Sequence, residues 1–175
     1  MGPIKMTESE NAYPVPNARD VPANFVPEII SGFVYGLTGD NWESYFNTCY
    51  VQSEQATIDL NNAINTIAAG GEENIKNGIE MFVSDYAEFR AGFDPCTDAT
   101  ADIDRTIQYL KNIKTMSPTK RFNMIIKAWT NKDEKAELTV DWKSLKADYD
   151  AQDYFGTGDE GLVILSTVIP ESTFQ

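Results

Sequence analysis

Hydrophobic positions recur three, four and seven residues apart along most of this chain, the spacing that lines one face of an α-helix. The longest run extends from Asp40 to Ala69, where Trp42, Tyr45, Phe46, Cys49, Ala56, Leu60, Ala63, Ile64 and Ile67 share a face. Asp40 is placed to cap its start, with Glu43 three residues on as in a capping box, and Gly70-Gly71 closes it. Such a helix would be about 45 Å long, and the other elements are expected to pack around it.

The same reading predicts a first helix from about Phe25 to Leu37, with Pro27 in its first turn and an apolar surface nearly all round. Gly32 and Gly36 fall on one side of it, where another backbone can approach; they are expected to meet the Asp40–Ala69 helix. A third helix is expected over Glu72–Arg90, with Ile75, Ile79, Phe82, Val83, Tyr86 and Phe89 as its stripe. Gly92-Phe93-Asp94-Pro95 breaks the pattern. A fourth helix follows from Cys96 or Thr97 to about Thr115, and a fifth opens at Ser117-Pro118, serine capping and proline at the first helical position. A sixth covers Asn131–Tyr149, with Leu138, Trp142, Leu145 and Tyr149 on one face. The apolar run Gly161–Ile169 fits a buried helix or a strand; a lone strand would have no partner, so a helix is expected. The prediction is an all-α, single-domain bundle of six or seven helices over residues 25–170, with a tag remnant and flexible arm at 1–24 and a tail at 171–175.

Composition narrows the chemistry. Formal charge is −13, from 14 basic and 27 acidic residues, so nucleic acid is not an expected partner and anionic membrane surfaces are disfavoured. No run is long and apolar enough to cross a membrane. The opening Met1-Gly2-Pro3-Ile4-Lys5-Met6 reads as a vector remnant, so a signal peptide is taken to have been removed. The chain has 0 histidines, which removes Ser-His-Asp, Cys-His, zinc-hydrolase and 2-His-1-carboxylate sites together. No catalytic residue and no cofactor are expected. Asp98, Asp102 and Asp104 open the fourth helix and read as complements to its positive end rather than as acid-base groups. Lys120-Arg121 and Lys132–Lys135 read as solvated basic faces.

Three features point to binding. The 20 aromatic residues are many for a small bundle. Gly32, Gly36, Trp42, Phe46, Phe82, Tyr86 and Trp129 are candidates for lining a pocket for a small apolar ligand, though a stripe at helical spacing is ordinarily core. Asp148, Asp150, Asp153 and Asp159 are the candidate metal ligands, for weak calcium binding; the stretch matches an EF-hand loop poorly, with Asp153 where glycine is needed, and a solvated turn is the plainer reading. Cys49 and Cys96 are 47 positions apart and fit no metal spacing, leaving either a disulfide or two buried thiols.

Ile29-Ile30-Ser31-Gly32-Phe33-Val34-Tyr35-Gly36-Leu37 resembles a set of small, largely uncharacterised protist proteins, ciliate-like ones in particular. Their features are an early Gly-Phe-x-x-Gly-Leu helix, a cysteine some ten residues on, a second cysteine after the next helix, and a late aromatic-Phe-x-x-Gly segment. Cys49, Cys96 and Tyr154-Phe155-Gly156 with Gly158 and Gly161 stand in those places here. The resemblance spans roughly residues 27–170. It implies secretion and a Cys49–Cys96 disulfide, and it brings no catalytic residues. The expectation is a non-enzymatic, extracytoplasmic structural or protein-interaction protein, secreted or lumenal with the cytoplasm as the alternative, its partner unidentified. The alternatives are a carrier of a small apolar ligand and a low-affinity calcium-binding protein.

Overall fold

The structure, a computed structural model, describes residues 21–175; the expected arm at 1–24 lies mostly outside them. Among the described residues the chain forms nine α-helices and no strand. The excess over six or seven comes from two expected helices that are each broken in two.

The first break is in the Asp40–Ala69 stretch. It is not one helix but α2 (Glu43–Cys49) and α3 (Glu54–Ala68), separated by an extended Tyr50–Ser53 connection. Tyr50 turns the backbone to φ −68°, ψ 133°. Ser53 then restarts the helix, its side chain accepting the Ala56 N–H at 3.0 Å. Asp40 caps nothing; Asn41 Oδ1 accepts the Glu43 N–H instead, at 2.9 Å. The second break, at Asp85, divides the expected Glu72–Arg90 helix into α4 (Glu72–Ser84) and α5 (Tyr86–Ala91).

The remaining helices keep closer to expectation. They are α1 (Phe25–Thr38), α6 (Thr100–Thr115), α7 (Pro118–Thr130, capped by Ser117), α8 (Lys132–Asp150, capped by Asn131) and α9 (Tyr154–Val168). The closing apolar run is helical, but α9 begins well before Gly161, with Asp153 Oδ1 accepting the Gly156 N–H at 2.9 Å. A 3-10 turn, Glu171–Phe174, lies in the expected tail and returns to α6, where Arg105 pairs with Glu171 at 2.8 Å.

The centre of the molecule is α1, not the 40–69 stretch. Phe25, Val26, Ile29, Ile30, Phe33 and Val34 are all buried, and α1 makes its most extensive contact with α9. The interface is set by glycines. A β-carbon on Gly32 would collide with Phe155 O and stand 2.7 Å from Asp159 N; one on Gly158 would collide with Ile29 O. Gly36 lies against Asp159 O in the same way, at 2.9 Å. These glycines therefore admit α9, not α2 or α3. Around this pair α3 packs on α4, and α8 on α9. Buried and half-buried hydroxyls and an indole tie the layers: Tyr109 donates to Ile169 O at 2.6 Å, Trp142 Nε1 to Ile67 O at 2.9 Å, and Tyr149 to Asn61 Oδ1 at 3.0 Å.

The cysteines form a disulfide. Cys49 ends α2 and Cys96 sits in the loop before α6, with Cα atoms 5.2 Å apart. Arg121 is not part of a solvated face. It is 8% exposed, forks onto Glu80 at 2.7 and 2.8 Å, and donates to the carbonyls of Ile113, Lys114 and Met116. These carbonyls lie at the C-terminal end of α6 and its cap, where the helix leaves acceptors to be satisfied from outside; Ile113 O also accepts the Met116 N–H.

Candidate functional site

The aromatic candidates fall into packed groups rather than around one space. Trp42 and Phe46 stack beside the disulfide, and Phe46 and Tyr50 each meet the Phe93 ring edge-on with centroids 4.9 Å apart. Phe82 lies between Phe33 and Phe89 at 4.2 and 5.4 Å. Tyr86 is half-buried beneath the Lys114 ammonium, and Trp129 is half-buried on α7. Gly32 and Gly36 have their clearance taken up by α9. Of the acidic residues expected to open the fourth helix, Asp102 accepts the Trp42 indole N–H at 2.9 Å with its carboxylate, while Asp98 uses only its backbone N–H, donating to Tyr45 Oη at 2.8 Å, and Asp104 is exposed.

Carboxylates do converge, at two helix corners. At the α8–α9 turn Asp148 and Asp153 crowd the open side of Gly156, each with an Oδ2 within 2.6 Å of where a β-carbon would stand. Asp159 and Glu160 reach the same region from α9. Burial raises the Asp159 carboxyl, and the nearby Asp148 adds to it. Burial, then the hydrogen bond and charge of Asp148, push Glu160 up to about 8. Glu160 Oε2 is buried with no hydrogen-bond partner among the described residues. Of the four candidate metal ligands, Asp148 and Asp153 meet at Gly156 and Asp159 feels the charge of Asp148, but the three do not bring their oxygens within 4.8 Å of one another. Asp150 stands apart: it pairs with Lys146 at 3.1 Å on the exposed side of α8.

The second corner joins α3 to the α4–α5 break. One carboxylate oxygen each from Asp59, Asp85 and Glu88 lies within 4.8 Å of the other two. Burial and then Asp59 push Asp85 up to about 6, against the opposing charge of Lys114. Burial, a hydrogen bond from Asp59, and the charges of Asp59 and Asp85 push Glu88 up to about 7. Sequence reasoning missed this trio. Its members look like ordinary polar-face residues, and they meet only because the chain bends at Asp85.

In comparisons with family models, curated proteins and solved structures, no match to this chain was found. Function is therefore argued from the molecule's own geometry.

Proposed function

We propose that this is a non-enzymatic, extracytoplasmic structural or protein-interaction protein. The Cys49–Cys96 disulfide carries the reading, because such bonds persist in oxidising compartments and are rare in the cytosol. Of the acidic residues that open the fourth expected helix, Asp98, Asp102 and Asp104, Asp102 accepts the Trp42 indole N–H with its carboxylate, which supports a structural role for it. With a net charge of −13, a cationic protein surface is the complementary partner. The resemblance to secreted protist proteins favours the same compartment. The experiment has two arms: alkylation of non-reduced protein leaves the mass unchanged, and a broad panel of model substrates is not turned over. Two alkylated thiols in protein from its native source, or enzyme-like turnover, would overturn the reading.

A second reading rests on the α8–α9 turn, where Asp148 and Asp153 flank Gly156 and their like charges help to raise Asp159 and Glu160. These groups would hold calcium weakly, since a cation relieves their mutual repulsion. Isothermal titration with millimolar calcium gives measurable heat if this holds, and none if it does not.

A further inference from the structure

Asp85 alone separates α4 from α5, at φ −101°, ψ 14°. Such an isolated non-helical residue between two short helices is where a corner can flex. Asp59 faces it from α3, and Glu88 reaches back from the first turn of α5. Carboxylate oxygens of Asp59, Asp85 and Glu88 all lie within 4.8 Å of one another. Carboxyl groups that close attract only when a proton lies between two of them, because ionised carboxylates accept and do not donate. One oxygen of Glu88, Oε1, is buried without a hydrogen-bond partner among the described residues. An ionised Glu88 would leave charge there, beside two like charges.

We propose that Asp59, Asp85 and Glu88 form a proton-operated clasp, closed when one proton is shared between Asp59 and Glu88 and released when that proton leaves to solvent. Closed, it holds the α4–α5 corner on α3. Released, three like charges push the corner away and loosen α5, whose Phe89 is fully buried in the core.

The groups facing the trio fit this. On α3, Gln55 Nε2 donates to Asp59 Oδ1 at 2.9 Å and carries no charge. From α6, Lys114 opposes the clasp by favouring ionised Asp85, but its ammonium is held by Ser84 O at 3.1 Å and by the Tyr86 ring. From the α2–α3 connection, Tyr50 stays neutral and donates to Phe89 O at 2.8 Å. On α5 itself, Arg90 pairs with Asp94. A proton suits the trio better than calcium, which takes six to eight oxygens where three carboxylates converge here. Both raised carboxyls titrate between about 6 and about 7, so the clasp is closed in acid and opens as pH rises through that interval.

Amide hydrogen exchange on the full chain, corrected for its intrinsic pH dependence, tests this. Protection of the α5 amides is expected to fall about tenfold or more between about pH 5 and about pH 8, since one unit of differential pKa is a tenfold linkage. In Glu88→Gln, whose amide can donate to Asp59 but does not titrate, most of that dependence disappears. Asp59→Asn serves the same purpose if the first variant does not fold. A carbon-13 titration of Glu88 Cδ is expected to show a midpoint well above the ordinary glutamate range. An ordinary midpoint, pH-independent α5 protection, or variants as pH-sensitive as the native chain would overturn the proposal. So would recovery of protection at about pH 8 on adding millimolar calcium, which would put a cation in the proton's place.

Discussion

Single residues decide how closely the central helices meet. Gly158 and Gly32 each lie against a backbone carbonyl of the opposite helix, and backbone cannot swing aside as a side-chain tip can. Gly158→Ala is therefore expected to cost about 1–3 kcal/mol through overpacking, read as a lowered denaturant midpoint with an unchanged m-value. Arg121 is the opposite case, a charge that must stay. Removing it strands the partly buried Glu80 and takes a donor from the carbonyls at the end of α6, of which Ile113 O keeps the Met116 N–H. Arg121→Ala is expected to lose roughly 3 kcal/mol, and Arg121→Lys to recover only part, because lysine lacks the planar fork. Its sequence neighbour Lys120 is exposed, so nothing in the local pattern separates the two. The distinction exists only once α7 folds back beneath the end of α6.

At the level of elements, periodicity located helical segments well and their interruptions poorly. The apolar spacing from Cys49 to Ala56 runs across the Tyr50–Ser53 break, so a pattern of sevens cannot show it. The readable signal was Ser53 followed by Glu54, a helix start inside an apparent helix. Asp85 gave less, since aspartate on a polar face is ordinary. The early start of α9 was hidden for another reason: Gly156, Gly158 and Gly161 look like breakers, yet they are what lets α9 lie on α1, and packing overrides propensity. The candidate sites follow the same division. Asp148 and Asp153 are brought together by a local turn and so can be read as neighbours from the sequence, whereas the Asp59 trio depends on tertiary structure. The disulfide tests how the elements are held. Reduction is expected to destabilise the fold by about 2–4 kcal/mol, seen as a lower melting temperature with reductant than without.

For the whole molecule, the balance of titrating groups sets the response to pH. Asp85, Glu88 and Glu160 are raised to about 6, 7 and 8, and Glu28, Asp141 and Asp159 are raised as well. A carboxyl raised on folding binds its proton more tightly in the native state, so its stabilisation is complete below the unfolded pKa and is lost as pH rises through the folded one. Glu171, lowered by its hydrogen bonds from Arg105, works the other way and loses its contribution only in acid. The raised groups outnumber it, and a net charge of −13 adds self-repulsion at high pH. Melting temperature is thus expected to be higher near pH 5 than near pH 8.5, with Glu160→Gln reducing the slope. A melting temperature that rises across this interval would refute the balance.

The position of the cross-link has one more consequence. Cys49 and Cys96 enclose the whole of α3, α4 and α5 in a closed ring of chain, with α1 and α2 on one arm and α6–α9 on the other. A protease that cuts once inside that ring severs the sequence but not the molecule. The nicked protein would run as one band on a non-reducing gel and as two once reductant is added. A cut outside the ring gives two bands either way, so paired gels sort each cleavage by which side of the cystine it falls on.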